Sequence, residues 1–273
     1  MKSTGKKPTL DELGRDLLQV STFRKTLSLV MPFIYVGAYF YCAFQGLWIL
    51  LALLCIMLLT FFTYTSISHD LVHQTLGLPS RWNEILLSLV EILCLRSGHA
   101  YRAVHLHHHR RFPHEDDVEG SAARMTFFRA FLEGPLYIPK IVIWAWKHVP
   151  QKRKWLMGEG MVSVSFIVFS CWAYPSTAVP LVYAGLVIGG SWFYPLFTAY
   201  FPHDAQGKDE WFQTRVFRGK MISTLFLRHN YHLEHHLYPS VPHHQWPALA
   251  RRLDPYLARR GIQPFIGKWK IME

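Results

Sequence analysis

Thiol is scarce in this chain. Cys42, Cys55, Cys94 and Cys171 are its four cysteines in 273 residues, and no two stand as Cys-x-x-Cys. That excludes a zinc ribbon, a thiolate-held iron–sulfur cluster and a disulfide framework as organising principles. No Gly-x-Gly-x-x-Gly fingerprint for a flavin or nicotinamide occurs, nor a Cys-x-x-Cys-His for attached haem. Acid is also short: 18 Asp and Glu stand against 29 Lys and Arg, a net charge of +11. The excess does not read as a nucleic-acid surface, because the basic residues interrupt apolar runs and form no aromatic-studded stripe. No Gly/Ser linker, internal repeat or low-complexity tract divides the sequence, so residues 1–273 read as one domain. The polar first ~25 residues do not resemble a cleaved signal peptide.

What the chain does have is apolar length: 51% of it is hydrophobic and 15% aromatic. With a basic balance, that suits a membrane protein whose water-facing segments are positive. Two long apolar stretches, about 26–66 and 161–201, are each too long for one crossing and read as helical hairpins. The expected spans are about 26–46, 47–66, 161–175 and 177–201, with segments 67–160 and 202–273 outside the bilayer. Four crossings put both termini on one side. Lys2, Lys6, Lys7, Arg15, Arg24 and Lys25 at one end, and Arg251, Arg252, Arg259, Arg260, Lys268 and Lys270 at the other, make that side cytoplasmic. The expected class is an all-α integral membrane protein with a cytoplasmic helical cap. Two shorter apolar segments, Glu84 to Leu95 and Pro135 to Trp146, read as interfacial or re-entrant helices. Leu249, Leu253 and Leu257 mark an amphipathic tail helix, suited equally to packing in a cap or lying on the membrane.

Histidine carries the chemistry. His69 and His73 form one cluster, His105, His108 and His109 a second, and His232, His235 and His236 a third, with His203 alone. An even number of crossings brings all four segments to the same membrane face. On a helix, rings at i, i+3 and i+4 share a side. Nine imidazoles exceed what one ion takes, so the count points to two metals. Imidazole without thiolate suits iron for oxygen activation, with copper and zinc left open. His229, one turn before His232, is read as either an extra ligand or a hydrogen-bond partner. His99, His107, His114, His148, His243 and His244 are read as non-ligands, His107 because it lies about 200° round the helix from His105. Metal-bound imidazole usually gives its other N–H to a carboxylate. Asp70, Asp204 and Glu234, each beside a ligand histidine, are therefore the expected supporting acids. Asp116 and Asp117 are further candidates, though they also balance Arg110 and Arg111.

His69-x-x-x-His73, His105-x-x-His108-His109 and Asn230-Tyr231-His232-Leu233-Glu234-His235-His236-Leu237-Tyr238-Pro239 resemble the three histidine boxes of the membrane fatty acid desaturase superfamily. The resemblance covers roughly residues 45 to 250. It implies a four-span helical fold with a cytoplasmic cap holding two iron ions, and the use of molecular oxygen and reducing electrons. Phe201-Pro202-His203 and the third-box region are similar to the bacterial and cyanobacterial beta-carotene hydroxylases and ketolases. Glu115-Asp116-Asp117-Val118-Glu119 departs from the Asp-Pro-Asp that those enzymes often carry.

The favoured expectation is hydroxylation or ketolation of a carotenoid ring. Fatty-acyl desaturation is the alternative, and a membrane metal transporter the remote one. The expected location is a bacterial inner membrane. With no carrier motif in the chain, a separate electron donor is expected, such as a ferredoxin with its reductase. Arg110, Arg111, Lys152, Arg153 and Lys154 are candidates to steer an acidic one, and equally to be lipid-facing positive-inside charges.

Overall fold

The computed structural model describes residues 6–219, 221, 223 and 229–265. Lys2, Lys268 and Lys270, counted above among the basic termini, lie outside the described residues. Those described residues are helical, and their extended pairings are two isolated bridges, His203–Thr214 and Phe217–Phe265.

Among the described residues four helices are long and apolar enough to cross a membrane. Helix α1 spans Thr22–Phe44. Ser21 caps it by accepting the Arg24 N–H, and it ends where Gly46 takes φ +73°, a left-handed turn that glycine adopts without strain. Helix α2 is one rod, Trp48–His73. Its first part is α-helical, but Leu58–Phe62 and Tyr64–Ser68 widen into π turns before a last α turn carries His69 and His73. Hydroxyls serve the widened turns: Thr63 Oγ1 donates to the Leu58 carbonyl (3.2 Å), and Thr65 Oγ1 to that of Phe61 (3.1 Å). Such back-bonding bends helices, and wide turns gather at functional sites. His69 and His73 were expected after the exit of the second span; they ride on the end of the same rod.

Helices α3 (Ser80–Leu93) and α4 (Gly98–Arg111) follow, then a short α5 (Phe127–Leu132) and α6 (Gly134–His148). α6 contains one of the two shorter apolar segments and α3 the other up to Leu93, and both helices pack on α4. Helix α7 runs Arg153–Ala173, starting two turns before the expected 161. Arg153, Lys154 and Glu159 lower the hydropathy of its first turns, which is why the apolar pattern begins late. Helix α8 spans Val179–Tyr200 and also ends in a π segment, Pro195–Tyr200, just before His203.

The cap is closed by α9 (His232–Leu237) and α10 (Trp246–Arg260). Leu249, Leu253 and Leu257 face inward with Leu13, Leu17, Leu233 and Trp246. Of the two readings of the tail helix, the packed one holds. Outside the cap the picture inverts: Ile49 and Leu50 on α2 and Trp172 on α7 are among many bulky apolar side chains left exposed, as lipid-facing helices require.

Candidate metal centre

All nine histidines singled out above converge. They form two groups whose ligand atoms lie within 4.8 Å of one another: His69, His73, His105, His109 and His235 in the first, His108, His203, His232 and His236 in the second. The helical geometry explains the division. Residues i and i+4 differ by about 40° around the axis, whereas i+3 falls about 60° to the other side. On α4, His105 and His109 (i, i+4) serve the first group, and His108 (i+3) crosses to the second. On α9 the pattern is mirrored: His232 and His236 serve the second group, and His235 crosses to the first. Each three-histidine box therefore bridges both groups.

Within the first group His105 Nε2 is 3.1 Å from those of His69 and His109, and His235 Nε2 is 2.9 Å from that of His69 and 2.7 Å from that of His109. In the second, His203 Nε2 is 3.0 Å from His108 Nε2 and 3.1 Å from those of His232 and His236. Hydrogen bonds cannot satisfy such sets, because several nitrogens meet and each ring has one proton to share between its two. The other ring nitrogens show which face is bare. His105 Nδ1 donates to Glu119 (2.9 Å), His108 Nδ1 to Asp117 (2.7 Å), and His203 Nδ1 to the Ala199 carbonyl (3.2 Å). That tautomer leaves Nε2 unprotonated and pointing at its neighbours, as metal-binding imidazole requires. Nitrogens about 3 Å apart at right angles are each about 2.1 Å from a common centre, an ordinary imidazole–metal bond length. The donor set fits two transition-metal ions.

Electrostatics agree. Burial, reinforced by the neighbouring imidazoles, holds His109, His203, His232, His235 and His236 well below the usual histidine range, so they are neutral at pH 7, as a metal ligand must be. His108 differs: burial pulls it down, but the Asp117 carboxylate outweighs burial and raises it, while His108 in turn lowers Asp117 against its own burial. The close approach of this pair needs Gly120, whose N–H donates to Asp117 Oδ1 (3.0 Å); a Cβ there would sit 2.2 Å from Asp117 Oδ2.

Of the five expected supporting acids, Asp117 alone lies on a histidine of the two groups. Asp70 receives the His243 N–H (2.9 Å) and Nδ1 (2.6 Å), pinning α2 to the segment after the third box. Asp204 accepts the Gln206 N–H (3.0 Å), and Glu234 pairs with Arg218. Asp116 pairs with Arg111 (3.0 Å) and lies 3.5 Å from His107. For Asp70 and Glu234 the reason is angular: neighbours on a helix diverge by about 100°, so an acid next to a ligand faces elsewhere. Glu119 was missed. It reaches back from the loop after α4, is 3% exposed, and also accepts from Tyr64 Oη (3.3 Å). The signal was its place in the acidic run 115–119.

His99 lies between Glu84 and Glu159, and His148 Nδ1 faces the Trp144 carbonyl. With His107 and His243 on the acids above, these four are held outside both groups. His229 lies outside both groups as well. Burial, then His105, pushes it down to about 4.

A family model described as fatty acid desaturase matches residues 45–266 of the chain. No curated protein matches it.

Proposed function

The chain belongs to the fatty acid desaturase family, and from that premise we propose that it uses O2 and two iron ions to oxidise an unactivated C–H bond of a bilayer-dissolved substrate, a carotenoid ring being the favoured one. The observation that carries this is the pair of imidazole groups, five and four strong, facing inward at the ends of helices α2 and α8. Iron bound there would supply the oxygen-activating, hydrogen-abstracting chemistry. The protein's own part is to hold that site in place. Glu119, Asp117 and the Ala199 carbonyl fix three ligand rings through Nδ1. Trp246, 2% exposed, walls off His69 and His235 with ring centroids 5.2 and 5.3 Å away. Whether a hydroxyl, a ketone or a double bond results depends on which carbon is held near the site.

Fatty-acyl desaturation is the second reading, since the same ligands serve both outcomes. Expressed in a host with and without accumulated beta-carotene, the protein is expected to yield oxygenated carotenoid and leave acyl unsaturation unchanged. New acyl double bonds beside untouched carotenoid would replace the favoured reading with the second. A transporter places ionisable groups near the middle of its spans. Here the clustered imidazoles gather at helix ends, and the carboxylate inside the third span, Glu159, is taken up by Ser88, Ser97 and His99.

The ions need reduction, and we propose an acidic protein donor at the face where the ligands His73, His109 and His236 are half-buried rather than sealed. Of the basic residues considered, Arg111 is paired with Asp116, Lys152 with Glu84, and Arg153 Nε donates to the Trp146 carbonyl. Among the described residues Arg110 makes no such contact and sits beside His109, exposed. Arg110→Glu is expected to raise the KM for donor about tenfold at low salt, to lose most of that effect at high salt, and to leave kcat at saturating donor unchanged. Steady-state titration with a reduced ferredoxin at two ionic strengths measures it. A KM insensitive to the charge reversal would move the docking face elsewhere.

A further inference from the structure

Beside the two groups lies a buried imidazole with nothing to bond. His229 is 7% exposed, and among the described residues neither its Nδ1 nor its Nε2 has a hydrogen-bond partner. A neutral imidazole carries one donor and one acceptor, and buried polar atoms are paired in the large majority of cases. Its surroundings say what is missing. The ring packs against His232 with centroids 4.6 Å apart and planes tilted by 50°. It interacts electrostatically with His69 and His105 of the first group as well as with His203 and His232 of the second. His229 therefore lies against the second group and within electrostatic reach of the first.

It does not stand where a ligand would. Each of the nine others belongs to a set of mutually close nitrogens, and His229 belongs to neither. A core histidine kept for packing would in turn have found a carbonyl or a carboxylate, as His99, His148 and His243 have.

We propose that His229 hydrogen-bonds a small polar ligand held between the two groups, a water, a hydroxide or a diatomic molecule such as dioxygen, and so positions it without coordinating metal. Distal donors set small-ligand binding at iron in just this way, through one hydrogen bond rather than a coordinate bond. The inference rests on the reading of both groups as iron sites, and the test separates the two.

The full chain, iron-loaded in detergent and oxidised, is titrated with azide as the probe, followed by visible absorbance, with iron per chain measured in parallel. His229→Leu is expected to keep the wild-type iron content while its azide dissociation constant rises about tenfold, the weight of one hydrogen bond to a charged ligand. His229→Gln, whose amide can still donate, is expected to recover most of that loss. An unchanged azide affinity in the leucine variant overturns the proposal. So does a fall in its iron content, which would make His229 a ligand. Should the leucine variant fail to accumulate, His229→Asn takes its place, because the shorter amide stops short of the ligand; equal affinity in the Asn and Gln variants overturns the proposal. Wild-type protein that holds no iron would remove the metal reading itself, and this inference with it.

Discussion

His105→Ala is expected to empty the first group of its ion and cut turnover by more than about a hundredfold. Partners one bond removed from a metal already cost 10–100-fold when deleted, and His105 is one bond nearer. Its Nε2 is 3.1 Å from those of both His69 and His109, and its Nδ1–H donates to Glu119, 2.9 Å away. Deleting the ring thus does two things: it removes a donor and leaves a buried carboxylate facing the remaining imidazoles. His203→Ala is expected to do the same to the second group, because its Nε2 contacts those of His108, His232 and His236. Iron per chain, measured with product formation, reads both effects. The control is His107→Ala on the same helix, which should keep wild-type iron and turnover because His107 faces Asp116 and Trp144. A His105→Ala protein that still held two irons and turned over normally would remove that residue from the ligand set.

Much of this centre could be read from residue order because helical periodicity is simple arithmetic. Spacings of three and four place imidazoles on one side of α4 and α9, and an even number of crossings brings α2, α4, α8 and α9 to one face. The same arithmetic, applied to the acids, should have argued against adjacency. Asp70 beside His69 and Glu234 beside His235 are turned about 100° away, towards His243 and Arg218. The acids that do serve the histidines, Asp117 and Glu119, fold back from the turn after α4 and from the start of the short 3₁₀ helix Glu119–Arg124, where the periodicity of α4 no longer holds. The π turns before His69 and His203 were invisible for another reason. They depend on which carbonyls Thr63, Thr65 and Thr198 take, and a hydropathy profile registers those residues only as mild dips.

Glu159→Ala is expected to destabilise the protein by about 3–5 kcal/mol, the usual result of removing one partner from a buried ionic cluster. The residue sits inside the apolar third span, is 2% exposed, and would be costly there unless fully bonded. It is fully bonded. Oε1 accepts from Ser88 Oγ and lies 2.7 Å from His99 Nδ1, while Oε2 accepts from Ser97 Oγ. Ser97 caps α4, so Glu159 ties the third span to the first turn of the helix that carries the second box. His99 passes the link on to Glu84 through Nε2 (2.6 Å) and is covered by the Trp155 ring at 4.4 Å. Removing the carboxylate leaves His99 Nδ1 and Ser88 Oγ only each other, 3.3 Å apart, and takes the acceptor from Ser97 Oγ in a buried site. Glu159→Gln keeps the shape and part of the bonding and should lose less. Thermal unfolding of the detergent-solubilised protein, with iron content read at low temperature, distinguishes this structural role from a ligand role: the melting point should fall while iron stays at the wild-type level. A Glu159→Ala variant as stable as wild type would mean that the third span is held to the second-box helix by packing alone. One of the charges that hide the start of this span from a hydropathy reading thus fastens the span to the histidine-bearing core.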